Sequence, residues 1–343
     1  MRNRNLDLLK IIACLMVIAV HVGTLYGMAS NPNEPDYYFT IGNIFHSFPR
    51  TPVPLFVMIS GAFLLANPNN KDVKSHYKKT FYRIILPTFW FSLGYTILSM
   101  LTGYYEQGSS FDFLFPIKSW ILGWPYYHMW YMYMIIGCYA STPFLIRLYE
   151  KVGHRYFMII GLCFLVFGLI NYRTEILWPF KFIFYLGYFI MGYSLREWSR
   201  SQRISWKLCL GSSIIILIGM VIVTHYMVTS GTFSQPFYLL SSLSITVMMS
   251  AILMYLAFVK MPEIKVDISR LSKHTFYIYL FHAGVLDIID FIVRQRLGLN
   301  PNPIWYLPVL GLVVFMISLQ LAHGVEFIKQ LFKRRVITLE VSQ

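Results

Sequence analysis

Two long stretches of the chain contain no charged residue, and they restrict its fold more than any other feature of the sequence. They cover residues 236–259 and 304–322, and each is long enough to cross the apolar core of a bilayer as a helix. Charged residues make up 13% of the chain and hydrophobic residues 57%, whereas soluble proteins carry about 25% charge. This composition excludes a soluble enzyme, a disordered chain and a disulfide scaffold. We therefore expect an all-α, polytopic integral membrane protein.

Ten segments resemble membrane spans, which need about 20 mostly apolar residues. They are 8–28, 51–66, 84–102, 126–147, 156–171, 179–196, 207–228, 236–259, 275–293 and 304–325. The weakest are 51–66 and 156–171, which are short, and 179–196, which contains Lys181. The aromatic-rich segments 39–48 and 111–123 are too short to span, so we interpret them as interfacial helices. We predict about ten transmembrane helices in a single membrane-embedded domain over residues 1–343.

The cations are distributed unevenly between the predicted loops. All Lys and Arg residues but six lie in alternate loops, which is the pattern of the positive-inside rule. The six on the sparse side are Arg50, Lys118, Arg173, Lys181, Arg294 and Arg296. This pattern predicts that both termini are cytoplasmic. It also accounts for the net charge of +14 without a nucleic-acid partner.

Familiar motifs for metals, cofactors and nucleophiles do not occur in the sequence. The four cysteines lie in apolar runs without a CxxC pair, so we expect neither a disulfide framework nor a metal site. The sequence also has no P-loop, G-x-G-x-x-G, H-E-x-x-H or G-x-S-x-G motif. Ionisable residues inside the predicted spans are then the main functional candidates, because burying them in a bilayer is costly.

The first predicted span carries a polar stripe. Lys10 and His21 are eleven residues apart, which returns them to one helix face with a rise of roughly 16 Å. Asp7 lies three residues before Lys10 on the same stripe and can pair with it. The alternative for Lys10 is a snorkelling anchor at the interface. The alternative for His21 is a packing histidine that is satisfied by a hydrogen bond.

The second predicted span begins with three prolines around Arg50 and continues to Ser60. Prolines predict a broken helix, which a membrane tolerates beside protein or a cavity. Arg50 then suggests a cavity that holds an anionic or oxygen-rich group. The alternative is an interfacial Arg on a lipid phosphate.

Three further segments carry polar candidates. Arg83 opens the third span, where the positive-inside rule is the simpler explanation. His128 and Trp130 open the fourth, as an aromatic belt or as the mouth for a sugar-like acceptor. Tyr279 and His282 share a face of the ninth span, and we interpret them as a functional cluster.

Several segments, in order along the chain, resemble the acyltransferase-3 family of membrane O-acyltransferases. The first-helix signature of that family is an Arg or Lys, ten residues and then a His, which Lys10 and His21 match. The other similar segments read RTPVPLFVMISG from Arg50, RIILP from Arg83, HMWY from His128 and SKHTFYIYLFH from Ser272. Within the family the chain is most similar to lone-domain members that acetylate cell-surface polysaccharide, such as the enterobacterial-common-antigen O-acetyltransferase type. We expect no SGNH esterase-like domain, which other members carry, within residues 1–343.

This resemblance implies transfer of an acetyl group from acetyl-CoA, the acyl-donor substrate, to a hydroxyl of a glycan or lipid-linked sugar. Lys10 and Arg83 would hold the phosphates of the donor, and His21 would be the general base. A covalent acyl group on His21 is the alternative that stays open. Arg50 would stabilise the oxyanion or position the acceptor. The residues expected to bind the acceptor or support the site are Asp7, Ser60, His128, Trp130, Tyr279 and His282. No cofactor would be bound permanently, and the protein would sit among the lipids of a bacterial cytoplasmic membrane.

Two other functions remain open at the level of sequence. A ten-span bundle with buried ionisable residues also suits a transporter or exporter of a polysaccharide or other polar substrate. A scaffold subunit of an envelope assembly is the third option, although it leaves the buried His and Arg residues unexplained. None of these patterns specifies the acceptor or the oligomeric state.

Overall fold

A computed structural model describes residues 3–28, 36–108, 112–171, 173–174, 178–231 and 234–341, and this part of the chain is helical with no strand. It contains twelve α-helices, which turns and short 3₁₀- or π-helical segments connect. They are α1 (Arg4–Gly27), α2 (Asp36–Ser47), α3 (Pro52–Leu64), α4 (Val73–Thr80), α5 (Leu86–Gln107), α6 (Leu114–Ile121), α7 (Trp130–Ile170), α8 (Phe182–Ser199), α9 (Trp206–Thr229), α10 (Ile245–Lys260), α11 (Ser269–Asp290) and α12 (Pro303–Val341).

Seven helical stretches among the described residues are long and apolar enough to cross a membrane. They are Arg4–Gly27, Val73–Tyr105, Trp130–Ile170, Trp206–Thr229, Tyr238–Lys260, Ser269–Arg296 and Pro303–Gln330. The prediction of an all-helical protein with several membrane-crossing helices is confirmed. The count of about ten and the cytoplasmic position of both termini stay predictions. The short helices expected at 39–48 and 111–123 correspond to α2 and α6, although residue 111 lies outside the described residues.

Two of the predicted spans lie on either side of a non-helical residue within α7. The segments 126–147 and 156–171 both fall largely within α7, which is kinked at Gly153. Gly153 has φ 76° and ψ 171°, a backbone conformation that glycine adopts readily because it lacks a Cβ atom. Because this conformation is not helical, the two predicted segments correspond to two helical segments that meet at Gly153, and a single residue separates them where the charged residues predicted a loop.

The prolines near Arg50 begin a helix instead of interrupting one. α3 starts at Pro52, and Pro54 is still in its first turn, where backbone N–H groups have no partner within the helix. The prediction of a Pro-broken span is therefore wrong. α3 is also only 13 residues long, which is shorter than a helix needs to cross the apolar core alone.

The chain divides into two compact units. The first combines the two ends of the chain, residues 1–49 and 264–343, and the second comprises residues 50–263. The first unit therefore contains α1, α2, α11 and α12, and the second contains α3 to α10.

In the first unit, α1 packs against α2, α11 and α12. A Cβ atom on Gly23 would overlap the backbone of α2 at His46, so a glycine in α1 permits this close approach. The start of α1 is also held near the start of α11, because the Arg4 guanidinium donates to the carbonyl of Lys265 at 3.2 Å. These contacts place α1 and α11 side by side.

In the second unit, α8 packs against α3, α7 and α10. A Cβ atom on Gly61 of α3 would overlap the carbonyl oxygen of Phe189 in α8, so glycine again allows two helices to approach closely. The hydroxyl of Tyr255 in α10 donates to the carbonyl of Gly192 in α8 at 2.6 Å. α8 is thereby held on two sides, and Phe184 and Tyr185 near its N-terminal end line a cavity.

Candidate functional site

A pair of histidines forms the first candidate site, in the unit made from the two ends of the chain. His21 of α1 and His282 of α11 have ring centroids 5.3 Å apart, with their planes tilted by 35°. His282 is completely buried, whereas His21 is partly exposed. The structure thus brings together two residues that the sequence predicted separately. Of the two rings, that of His21 on α1 is the accessible one.

The orientation of His282 is set by its own helix. Its Nδ1 lies 2.6 Å from the carbonyl oxygen of Tyr279, which can only accept, so Nδ1 carries the proton of this hydrogen bond. The ring of Tyr279 lies 5.4 Å from the imidazole ring of His282. A hydrogen bond that fixes one ring nitrogen also fixes the role of the other, so in the neutral ring Nε2 is the acceptor.

The polar stripe of α1 continues from His21 toward the helix N-terminus. Asp7 is buried there, and its carboxylate accepts a hydrogen bond from the Ser272 hydroxyl at 2.6 Å. Asp7 therefore has a partner on α11, and its pairing with Lys10 stays a prediction. Lys10 is partly exposed. These two residues and His21 follow one face of α1, as predicted.

A cavity of about 370 Å³ forms the second candidate site, within residues 50–263. Its lining includes Arg50, Trp130, Lys181, Tyr185, Phe237 and Ser242. Arg50 and Trp130 were predicted from unrelated local patterns, and in the structure both line this cavity. The lining comes from helix ends: Arg50 precedes α3, Trp130 begins α7 and Lys181 precedes α8.

The cavity combines cationic, aromatic and hydroxyl groups. Partial burial lowers the pKa of the Arg50 guanidinium to about 10, which still leaves it charged at neutral pH. The hydroxyls of Tyr185 and Ser242 are 2.6 Å apart, and the ring of Trp130 lies 5.9 Å from that of Tyr185. Such a lining suits a polar ligand that carries negative charge or many oxygens.

Ser60 and Arg83 both lie near Tyr139, for which the sequence suggested no role. The side chain of Tyr139 in α7 lies close to Ser60, and Arg83 is near enough to interact with it electrostatically. The carbonyl of Tyr139 also accepts a hydrogen bond from Nε2 of the buried His76 at 2.8 Å. Arg83 itself is exposed.

His128 lies among aromatic rings. Only 1% of its surface is exposed, and its ring packs edge-on against Tyr95 at 5.0 Å and Tyr126 at 5.9 Å. It does not line the cavity that contains Trp130, two residues further along the chain. The fourth predicted segment therefore divides into a cavity residue and a packed histidine, and an acceptor contact from His128 stays a prediction.

Sequence reasoning missed several of these residues for different reasons. Lys181 could have been found, because it is one of six cations on the sparse side. It was interpreted only as a charge that makes 179–196 a weaker candidate for a span. Ser272 appears in a segment that resembled the family, without a role assigned to it. Phe237, Ser242 and Tyr139 gave no signal, because aromatic and hydroxyl residues are common in membrane helices and at their ends.

Comparison with known proteins identifies the family. The model of the acyltransferase-3 family, described as an acyltransferase domain, matches residues 3–323, which is nearly the whole chain. The chain belongs to the acyltransferase-3 family. The family assignment supports membrane acyltransferase activity in general, and both candidate sites lie within the matched region.

One curated relative is similar to part of the chain. An amino-acid racemase of Enterococcus faecalis is 30% identical over 176 residues, which is 49% of this chain. The matched region covers 22% of the racemase, so the acyltransferase-3 chain corresponds to a small part of that protein. No solved structure matches the chain.

Proposed function

We propose that this protein is a membrane O-acetyltransferase that moves an acetyl group from acetyl-CoA to a hydroxyl of a cell-surface glycan or its lipid-linked precursor. The observation that carries this proposal is the His21–His282 pair in a member of the acyltransferase-3 family. Bringing two imidazoles together inside a membrane-spanning unit costs desolvation, which a catalytic role would explain.

His21 is the general base in this proposal. A ring nitrogen of His21 takes the proton of the acceptor hydroxyl while its oxygen attacks the thioester carbonyl. The C–S bond then breaks, and His21 returns the proton to the departing CoA sulfur, so that the products are the acetyl ester and free CoA. General-base assistance of this kind contributes about 10²–10⁴-fold. His282, whose orientation the Tyr279 carbonyl fixes, positions the ring of His21.

Lys10 is the donor-side residue in this proposal. It lies on the same face of α1 as His21, roughly 16 Å away at 1.5 Å per residue. This distance suits an extended donor whose phosphates lie at Lys10 and whose thioester reaches His21. Arg83 is proposed as a second donor contact, on the strength of its charge and its place in a cation-rich segment.

The cellular setting follows from the same proposal. The enzyme would lie in a bacterial cytoplasmic membrane, receive acetyl-CoA from the cytoplasm and need no permanently bound cofactor. The racemase activity named for the Enterococcus faecalis relative is not proposed for this chain, because only 22% of that protein is matched.

The test is CoA release by the purified protein in detergent, with a thiol reagent as readout and envelope glycan as acceptor. His21→Ala should lower the rate by 10²–10⁴-fold. His225→Ala is the matched control, since His225 is also a partly exposed helical histidine but lies in α9 of the other unit. A His21→Ala rate equal to wild type would refute the base assignment. Absence of both CoA release and acetyl-CoA binding in the wild type would favour the transporter or exporter instead.

A further inference from the structure

Two cations of the sparse side line the cavity, and a third is next to a lining residue in the sequence. Arg50 and Lys181 both line it, and Arg173 is adjacent to the lining residue Thr174. These are three of the six cations on that side of the predicted topology. None of the described residues that line the cavity is acidic. Glu175, the next residue in the chain, lies outside the described residues.

Aromatic and hydroxyl groups surround these cations. Trp130, Tyr185 and Phe237 contribute ring surface, and Ser242 contributes a hydroxyl beside that of Tyr185. Aromatic rings pack well on the flat C–H faces of sugar rings, while hydroxyl groups exchange hydrogen bonds with sugar hydroxyls. A volume of about 370 Å³ is within the range of small-molecule sites. An isolated phosphate would use the cations and leave the rings without a role.

We propose that this cavity binds the acceptor through a negatively charged group on a sugar, either a phosphate or a carboxylate. This inference rests on the proposed O-acetyltransferase function and specifies its acceptor as an anionic sugar. Arg50 and Lys181 pair with the charge, and Trp130, Tyr185 and Phe237 pack on the ring. Lys181 thereby becomes a specificity residue, since it recognises the charge that distinguishes this acceptor from a neutral sugar.

The test measures equilibrium binding of four probes to the purified full-length protein by isothermal titration calorimetry in detergent. Glucose 1-phosphate and glucuronate are the charged sugars, glucose is the neutral sugar, and glycerol 3-phosphate has the charge of a lipid headgroup without a ring. Lys181→Gln and Arg50→Gln are the test variants. Lys118→Gln is the matched control, because Lys118 belongs to the same sparse set and the same unit but does not line the cavity.

We expect at least one charged sugar to bind the wild type more tightly than glucose and glycerol 3-phosphate do. Each test variant should weaken that binding by about 10-fold or more, as expected for loss of a charge-assisted hydrogen bond. Lys118→Gln should bind as the wild type does. A preference for glucose 1-phosphate identifies the phosphate of a lipid-linked sugar, and a preference for glucuronate identifies an acidic glycan.

Three results would overturn the inference: equal binding of glucose and the charged sugars, equal binding of glycerol 3-phosphate and glucose 1-phosphate, or a charge preference that persists in both test variants. Acetyl-CoA binding by the same samples separates this inference from the proposed function. Intact acetyl-CoA binding without a sugar preference rejects only the anionic acceptor. A sugar preference without acetyl-CoA binding keeps the cavity assignment and rejects the acetyltransferase.

Discussion

The two histidines should behave as one catalytic unit, and a double-mutant cycle can test this. The structure places their ring centroids 5.3 Å apart, with the partly exposed His21 in contact with a completely buried His282. His282→Asn keeps an amide donor near the position of Nδ1, which can still bond the Tyr279 carbonyl, but removes the ring and Nε2. This substitution therefore changes the neighbour of His21 and preserves the local hydrogen bond.

The expected magnitudes follow from these roles. His21→Ala removes the base, so the rate should fall by about 10²–10⁴-fold, which is roughly 3–5 kcal/mol of transition-state stabilisation. His282→Asn removes only positioning, and we expect a loss of about 10-fold, or roughly 1.4 kcal/mol. If His282 acts only through His21, its loss has no further effect once His21 is absent. The double variant should then equal His21→Ala, with a coupling energy of roughly 1.4 kcal/mol.

The assay is single-turnover CoA release by the wild type, both single variants and the double variant. Thermal unfolding in detergent provides the control for folding, because His282→Asn leaves space at a completely buried position. Multiplicative losses in the double variant would contradict the reasoning, because they would mean that the two rings act independently. A double variant far below both single variants with an unchanged unfolding temperature would have the same meaning.

Two further predictions concern stability, and both use thermal unfolding in detergent. Ser272→Ala should destabilise the first unit by about 1.5–3 kcal/mol, because the buried Asp7 carboxylate loses the hydroxyl donor at 2.6 Å; an unchanged midpoint would contradict this. Gly61→Ala should prevent normal folding or lower the midpoint strongly, because the new Cβ atom would overlap the Phe189 carbonyl. Gly94→Ala should be nearly neutral, since among the described residues no atom beyond its own turn of helix lies within 4 Å of its Cβ position.

The polar stripe of α1 could be predicted because it depends on local periodicity alone. A helix returns to the same face after eleven residues, so Lys10 and His21 share a side whatever surrounds them. The partner of His21 could not be predicted in the same way. His282 lies near the other end of the chain, and no local rule states that α11 packs on α1. What the sequence did provide was a reason to suspect both residues, because each is an ionisable group within an apolar segment.

Two details of the helix boundaries were not predicted correctly, and each has a physical reason. Pro52 and Pro54 were interpreted as helix breakers, but a proline in the first turn removes no hydrogen bond and instead favours the start of a helix. The segments 126–147 and 156–171 were separated because charged residues lie between them. Hydropathy does not show how two segments are connected, so it could not predict that a kink at the single residue Gly153 separates them.

The uneven distribution of the cations bears on function as well as on membrane topology. For a cation on the rich side, orientation in the membrane is already a sufficient explanation, so a role such as that proposed for Lys10 and Arg83 needs further support. A cation on the sparse side needs another explanation. Arg294 has a structural one, since it donates to the carbonyl of Leu25 at 3.3 Å and lies 5.0 Å from the ring centroid of Tyr26. Arg50 and Lys181 instead line a cavity with aromatic walls. The sequence can count such cations, but only the tertiary structure shows that Arg50 and Lys181 line the same cavity.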